Sequence, residues 1–253
     1  MQNTMSDFKI QSVLITGSSR GIGLEFVQQF LKSPNPPQKI FATCRNLEGP
    51  QSQVLKNLSE KHQNVILVQI DVTSPSSVAA SVKEVEKHLN GQHLDLLINN
   101  AGVLTHSNLE SQTSEDMLNV YNINVVGPML VTQAYHRLMK RAEGTGKSAI
   151  VHISALLGSL EDVPSLFDHF PVISYRCSKA ALNILSRCHA VGYKQDGIIS
   201  IAIHPGWVKT DMGTDQAPLT TEDSVGAMMK IIYSLSDEQS GTFVDWQGKT
   251  IPW

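Results

Sequence analysis

The sequence predicts an α/β protein, a single doubly wound domain with a seven-stranded parallel sheet flanked by helices. Three observations lead to this prediction: short apolar runs recur along the chain, polar helix-like stretches separate them, and a glycine-rich turn follows the first run. Runs of this length that are rich in β-branched residues are typical of strands buried on both faces. Their alternation with helices indicates βαβ units and therefore a parallel sheet.

The seven predicted strands share this apolar character. They cover residues 12–15, 39–43, 65–70, 94–98, 149–153, 198–203 and 241–245. No internal repeat or low-complexity segment divides the chain, so one domain over residues 1–253 is the most economical interpretation. The polar residues 1–11 are predicted to form a flexible tail, and residues 162–173, which include two prolines, an inserted loop.

The composition excludes several classes of function. The 253 residues are 41% hydrophobic and 17% charged with a net charge of −3, and without a basic block nucleic acid is not an expected partner. No apolar run approaches the roughly 20 residues of a membrane span. The three cysteines and nine histidines lack metal-ligand spacing, so no metal is expected. Free thiols without a secretory signal suggest a cytoplasmic protein.

The first strand runs directly into the sequence TGSSRGIG at residues 16–23, and a helical pattern follows. Glycines allow a tight turn and a close approach of the backbone to a ligand. The helix that begins there offers free N–H groups and a positive dipole end to a pyrophosphate. A tight turn without any ligand is the alternative. The position of this glycine turn at the first strand–helix junction favours a dinucleotide site over that alternative.

The residue after the second strand indicates which dinucleotide binds. An acid there would bond the ribose 2′-hydroxyl, whereas an arginine suits a 2′-phosphate. This chain has Arg45 at that position, and Arg20 in the glycine turn can supply a second charge. The two arginines together predict NADP(H) rather than NAD(H).

Tyr175 and Lys179 are four residues apart, so on a helix they share one face. A nearby ammonium favours the phenolate, and we therefore expect the pKa of Tyr175 to fall toward neutrality. A phenol of that kind can act as a general acid or base. The spacing is weak evidence alone and gains weight from the glycine turn.

Taken together, these motifs resemble those of the short-chain dehydrogenase/reductase family from residue 13 to residue 253. The resemblance rests on TGxxxGIG at 16–23, DVT at 71–73, NNAG at 99–102, Asn124, YxxxK at 175–179 and HPGWVxTDM at 204–212. TCRN at 43–46, YRxSK at 175–179 and the ending GxFVDxxGxxxPW at 241–253 are similar to the C-factor/sniffer-like carbonyl reductases within that family.

The resemblance implies a Rossmann fold, an NADPH-dependent reductase of a ketone, aldehyde or quinone, and a homodimer or homotetramer. It implies that Tyr175 donates the proton, that Lys179 assists it and that Asn124 belongs to the catalytic set. The implied cofactor-binding residues are Gly17, Ser19, Arg20, Gly21, Ile22, Gly23, Arg45, Asp71, Val72, Asn100, Ala101, Gly102, Tyr175, Lys179, Pro205, Gly206, Val208 and Thr210. Residues 211–224 are expected to form a lid over the substrate.

One departure from the family pattern concerns its catalytic serine. In the sequence HISALLGS at residues 152–159, that position aligns with Ala155. Ser154 is the neighbouring candidate, although strand alternation points it elsewhere, and Ser159 is a further hydroxyl close by. A second function therefore stays open beside the reductase: a regulatory protein that binds NADP(H) with little turnover.

Overall fold

The structure, a computed structural model, describes residues 8–142 and 146–253. Its strands are β1 (Ser12–Ile15), β2 (Lys39–Cys44), β3 (Val65–Gln69), β4 (Leu96–Asn99), β5 (Ser148–Ile153), β6 (Ile198–His204) and β7 (Phe243–Asp245). They form one sheet in the order β3-β2-β1-β4-β5-β6-β7, and every neighbouring pair is parallel. The predicted seven-stranded, doubly wound sheet is confirmed. The strand order reverses between β1 and β4, and in such sheets ligands bind outside the carboxyl ends of the strands at this point.

Eight α-helices are found in the described ranges. They are α1 (Gly21–Lys32), α2 (Gln53–Lys61), α3 (Pro75–Leu89), α4 (Ser114–Tyr121), α5 (Gly127–Met139), α6 (Val163–Leu166), α7 (Ile173–Gly192) and α8 (Thr221–Tyr233). A π-helical turn, Asn122–Val126, joins α4 to α5. The apolar residues of α1 and α8 fill the core on one face of the sheet, and those of α3 and α5 fill it on the other.

Alternation along the strands explains the continuous apolar runs. In β1, Val13 and Ile15 belong to the core beneath α1 and α8, whereas Leu14 between them belongs to the core beneath α3 and α5. Because successive side chains point to opposite faces, a strand covered on both sides needs apolar residues at every position. The predicted strands match the observed ones with ends that differ by one or two residues.

Two predicted segments need correction. Within the tail assigned to residues 1–11, residues 1–7 lie outside the described ranges. Phe8 and Ile10 are buried in the core, and the Phe8 N–H donates to the Tyr233 carbonyl over 2.9 Å. The prediction of a tail is therefore wrong from residue 8 onward, because two apolar side chains among polar ones were enough to dock it. The predicted lid, 211–224, is a loop up to Thr220, and its last four residues begin α8.

None of the helices in residues 8–142 and 146–253 is long and apolar enough to cross a membrane. The same residues contain no group of three or more His, Cys, Asp or Glu side chains that could hold a metal ion.

Candidate active site

A cavity of about 1200 Å³ opens at the carboxyl ends of the strands. It is lined by the turns after β1, β2, β3 and β4, by α7, and by the segment after β6. Every residue predicted to bind the cofactor lines it except Gly23. The motifs that are scattered along the sequence therefore meet at one place, where a parallel sheet brings its strand ends together.

The glycine turn forms a cradle at the N-terminus of α1. Gly17 and Gly21 adopt φ values of +68° and +54°, which side chains rarely allow. A Cβ on Gly17 would stand 3.0 Å from the Cα of Ala101. The N-cap residue, Arg20, makes no side-chain cap, and the first turn carries no acidic residue. The first N–H groups of a helix have no intrahelical partners, so this end suits an anion such as a pyrophosphate.

Gly23 lies behind the cradle, whereas Asn100 lines the cavity and also holds the turn in place. A Cβ on Gly23 would lie 2.2 Å from the Gly17 carbonyl oxygen, so only glycine allows this packing of helix against turn. The Asn100 side-chain amide donates to the carbonyls of Thr16 and Gly17 over 2.9 and 3.1 Å. The Thr16 hydroxyl oxygen accepts the backbone N–H of Asn100 and of Ala101. The turn after β1 is thereby fixed to the turn after β4.

Two arginines, Arg20 and Arg45, line the cavity. The Arg20 guanidinium donates to the Gln51 side chain over 2.7 Å and lies 3.3 Å from the Asp211 carboxylate. Arg45 is exposed at the end of β2. The pKa of Asp71 is lowered, chiefly by hydrogen bonds from the hydroxyl and backbone N–H of Thr73, and further by the charge of Arg45. Each arginine therefore has a carboxylate close by, and both guanidinium groups border the cavity, where they could bond a phosphate.

Tyr175 and Lys179 lie on one face of α7, as predicted, and both are buried. The Lys179 ammonium donates to the Ile153 carbonyl over 2.7 Å and stands 5.4 Å from the centre of the Tyr175 ring. Burial lowers the pKa of Lys179 to about 8. Burial raises the pKa of Tyr175 above its ordinary value, so the expected fall is wrong in this structure. Desolvation of the phenolate outweighs the attraction of an ammonium that is bonded to a carbonyl.

Asn124 lies in the π-helical turn, wholly buried behind the cavity wall. Its side chain accepts the Val103 N–H and donates to the Val103 carbonyl, both over 2.9 Å, and it also donates to the Ser178 hydroxyl over 3.0 Å. A Cβ on Gly102 would lie 3.2 Å from the Asn124 amide oxygen and 3.8 Å from the Lys179 nitrogen. Glycine at 102 thus leaves room for the asparagine and the lysine to approach the same point.

Ser154 and Ala155 make different side-chain contacts. The Ser154 hydroxyl donates to the Asn183 side chain over 2.6 Å and is buried there. Ala155 packs with Tyr175 and Val172 instead. Ser154 also lines the cavity, so its role as a catalytic hydroxyl stays a prediction, with its hydroxyl bonded in this structure to Asn183 on α7. The Ser159 hydroxyl accepts the Asp162 N–H over 3.3 Å.

The segment after β6 forms part of the cavity wall. Pro205, Gly206, Val208 and Thr210 all line it. Gly206 has a φ of +83°, and a Cβ there would lie 2.4 Å from Leu219. The Thr210 methyl group comes within 3.3 Å of where a Gly21 Cβ would stand. Thr210 therefore packs against the glycine turn, and Gly206 packs against Leu219.

The sequence did not indicate the outer wall beside Tyr175. This wall contains Leu104, His106, His169, Phe170, Trp207 and Met212. Its aromatic members come from the inserted loop and from the segment after β6, two regions without periodicity. The only available signal was the position of Trp207 within the HPGWVxTDM motif.

Comparisons with known proteins agree with this site. The sequence model of the family described as short chain dehydrogenase matches residues 11–219. The crystal structure of NADPH-bound carbonyl reductase from chicken fatty liver is 44% identical, with a TM-score of 0.93 over 97% of this chain and 100% of that one. The carbonyl reductase Sniffer of D. melanogaster is 33% identical, with a TM-score of 0.90 over the same shares.

Among curated proteins, C-signal of Myxococcus xanthus is 36% identical over 63% of this chain and 93% of its own length. The predicted resemblance to C-factor/sniffer-like carbonyl reductases is confirmed by these matches. The family model matches most of the chain, and the NNAG and YxxxK motifs meet around one cavity. The chain belongs to the short-chain dehydrogenase family.

Proposed function

We propose that the protein is an NADPH-dependent oxidoreductase that reduces a carbonyl group, with Tyr175 as the proton donor. The observation that carries the proposal is the joint placement of Tyr175 and Lys179 in the cavity that holds the α1 cradle. The two similar solved proteins, both carbonyl reductases, support it. Membership of the family supports the more general conclusion that the protein is an oxidoreductase.

NADP(H) fits the residues that are present. The uncapped N-terminus of α1 suits the pyrophosphate, and Arg20 and Arg45 suit a 2′-phosphate. Asp71 and Val72 would border the adenine, while Pro205, Gly206, Val208 and Thr210 would hold the nicotinamide end, as the family resemblance implies. When bound, the cofactor supplies a hydride for the carbonyl carbon.

The protein's own chemistry concerns the carbonyl oxygen. Negative charge grows on that oxygen during reduction, and a buried phenol of raised pKa stays protonated at neutral pH and can donate to it. The Lys179 ammonium, held by the Ile153 carbonyl, supplies positive charge close to the phenol. Asn124 bonds to Val103, which follows β4, and to Ser178 on α7, and so holds both segments in place behind Tyr175 and Lys179. Ala155 offers no hydroxyl donor, so one stabilising contact to the oxygen is missing.

The alternative is a regulatory protein that binds NADP(H) and turns over little. Ala155 favours it, because the position beside Tyr175 has no hydroxyl and the Ser154 hydroxyl is already engaged by Asn183. Tyr175, Lys179 and Asn124 favour the enzyme, because a chain that no longer catalysed would have no need to keep all three.

A panel of ketones, aldehydes and quinones tests the choice. Oxidation of NADPH that depends on the carbonyl compound, and on Tyr175, is the expected result. Tight NADPH binding without turnover of any member of the panel would favour the regulatory protein instead.

We also propose a homo-oligomer and a mobile lid. Leu118 on α4 and Ile184 and Val191 on α7 expose apolar side chains at 71%, 66% and 74%, a surface that a second copy could cover.

Residues 211–214 line the cavity, and the loop up to Thr220 is the proposed lid. A cytoplasmic location stays a prediction from the sequence.

A further inference from the structure

The guanidinium of Arg20 already has two partners among the residues that line the cavity. Its Nη1 donates to the Gln51 side chain over 2.7 Å, and its Nε lies 3.3 Å from the Asp211 carboxylate. Arg20 belongs to the turn after β1, Gln51 to the segment between β2 and α2, and Asp211 to the segment after β6. All three residues line the cavity. One side chain therefore ties three parts of the cavity wall together.

These two partners occupy both edges with which an arginine binds a phosphate. A guanidinium offers two forks for a bidentate contact, Nε with Nη2 and Nη1 with Nη2. The Asp211 carboxylate stands at the first fork, and the Gln51 oxygen accepts from the second. A phosphate that binds Arg20 through a fork must therefore displace one of the two side chains.

Charge decides which partner gives way. A phosphate ester carries about two negative charges at neutral pH, so it repels the Asp211 carboxylate when both face Arg20. The Gln51 side chain is neutral, and its amide group can also donate to a phosphate. The Asp211 side chain is largely exposed and can turn into water without leaving a cavity behind. We therefore expect the phosphate to displace Asp211 and to leave Gln51 in place.

We propose that Asp211 is a specificity-determining residue for the cofactor: it competes with the 2′-phosphate of NADP(H) for Arg20, and the phosphate, by displacing it, releases the loop that Asp211 begins. The inference rests on the proposed function. It deepens that function by naming a residue that weakens recognition of the 2′-phosphate and links this recognition to the proposed lid.

The turn that follows Asp211 is strained. Thr214 has a φ of +63°, a left-handed conformation that is rare for a β-branched residue. The N–H groups of Gly213 and Thr214 donate to the hydroxyl and the carbonyl of Thr210 over 3.0 and 2.8 Å. The ion pair of Asp211 with Arg20 joins this strained turn to the N-terminus of α1. Loss of the pair removes a contact that helps to hold the turn in its present conformation.

The pair of Arg20 and Asp211 matters little for stability. Their side chains are 55% and 77% exposed, and exposed ion pairs contribute little to the free energy of unfolding. Substitution of Asp211 should therefore leave the protein folded. A change in nucleotide affinity in such a variant then reports on the site itself.

Two nucleotides that differ only in the 2′-phosphate test the competition. Adenosine 2′,5′-bisphosphate and adenosine 5′-monophosphate both lack the nicotinamide, so calorimetric titration with the pair isolates the effect of that phosphate. We expect Asp211→Asn to bind the bisphosphate about three- to tenfold more tightly than the parent does, and the monophosphate within about twofold. Asp215→Asn is the matched control, because Asp215 is an exposed acid of the same loop that does not line the cavity. It should change both affinities less than about twofold.

A double-mutant cycle tests whether Asp211 acts through the arginine. In an Arg20→Gln background, the further change Asp211→Asn should alter the Kd for the bisphosphate less than about twofold. Asp211→Glu, which keeps the carboxylate, should stay closer to the parent than Asp211→Asn does. An equal gain from Asp211→Asn with and without Arg20 would refute the competition, because a long-range effect of the charge would then explain it.

Hydrogen–deuterium exchange tests the release of the loop. At saturation of the parent, the bisphosphate should speed exchange of the amides in residues 213–217 about threefold or more relative to the monophosphate. In Asp211→Asn the two nucleotides should give equal rates, since the pair is already broken. Equal rates in the parent would refute the release.

Weaker or unchanged binding of the bisphosphate by Asp211→Asn would overturn the inference, since the carboxylate would then orient Arg20 or have no effect on it. None of these measurements needs turnover, so failure of the protein to reduce any carbonyl compound would count against the proposed reaction alone. A parent that binds both nucleotides equally would overturn the assignment of the 2′-phosphate to Arg20, and the inference with it.

Discussion

The ammonium of Lys179 stands 5.4 Å from the centre of the Tyr175 ring, and it donates its hydrogen bond to the Ile153 carbonyl. The lysine therefore acts on the tyrosine by its charge. Its pKa of about 8 means that this charge is present at neutral pH and disappears in mild base. The phenol titrates higher, because burial raises its pKa.

The rate of carbonyl reduction should therefore fall as pH rises through about 8, where Lys179 loses its proton. The measurement is kcat/KM against pH at saturating NADPH. Lys179→Arg keeps a positive charge that does not titrate, so whatever activity remains should show no fall near this pH. A fall of unchanged midpoint in that variant would assign the titration to another group.

Tyr175→Phe keeps the ring and removes the proton donor. We expect kcat to drop by about 10²–10⁴-fold, the usual contribution of general acid catalysis, with NADPH binding retained. Tyr193→Phe is the control, because Tyr193 follows the same helix but stacks on His136 and His189, away from the cavity. If Tyr175→Phe turns over like the parent protein, another group supplies the proton.

Arg45→Asp should weaken NADPH binding by about 1.5–3 kcal/mol and NADH binding far less, since a charge-assisted contact to the 2′-phosphate is lost. Fluorescence titration of both cofactors measures this. Lys56→Asp is a matched control: Lys56 pairs with Glu48 over 2.7 Å and does not line the cavity, yet the net charge changes equally. Equal affinity of the parent for NADPH and NADH would defeat the prediction.

A buried histidine makes stability depend on pH. His189 accepts or donates a hydrogen bond of 3.3 Å with His152, and burial, assisted by the charge of His136, lowers the pKa of His189 to about 4 from 6.5. The unfolded chain binds this proton first, so stability is complete above about pH 6.5 and is lost as pH falls toward 4. The full loss amounts to about 3 kcal/mol.

His189→Gln should reduce this dependence but not abolish it, because burial also lowers the pKa of His152 and His204. Urea unfolding at about pH 7.5 and about pH 5 measures the change. His62→Gln, at an exposed position after α2, should leave the slope unchanged. A slope in His189→Gln equal to that of the parent would mean that other groups dominate the loss.

What could be predicted from the sequence depended on local pattern. The strands could be predicted because burial on both faces requires an apolar residue at every position, as at Val13, Leu14 and Ile15. The assembly of Gly17 and Lys179 in one cavity followed from motif order and parallel topology.

Properties that depend on several distant segments could not be predicted. The pKa of Tyr175 follows from its burial by residues after β5 and in the inserted loop, and Phe170 meets Trp207 through two aperiodic loops. The docking of Phe8 depends on a carbonyl of α8, which no pattern near residue 8 reveals.

Ala155 and Ser154, the two residues at the serine position, have different surroundings. Ala155 packs against Tyr175, whereas the Ser154 hydroxyl is bonded to Asn183. Since one lost oxyanion donor can cost about 10²–10³ in rate, Ala155→Ser should raise kcat about tenfold or more and leave NADPH affinity unchanged. Ser154→Ala should leave kcat unchanged but lower the free energy of unfolding by about 1–2 kcal/mol, because the buried Asn183 oxygen loses its donor.

The two variants should change different properties: Ala155→Ser should change turnover, and Ser154→Ala should change stability. Kinetics with a single reducible carbonyl and urea unfolding measure both. If Ser154→Ala abolishes turnover while Ala155→Ser is neutral or harmful, the Ser154 hydroxyl must leave Asn183 during the reaction. Ser154 would then take the place of the missing serine, and slow turnover would need another cause.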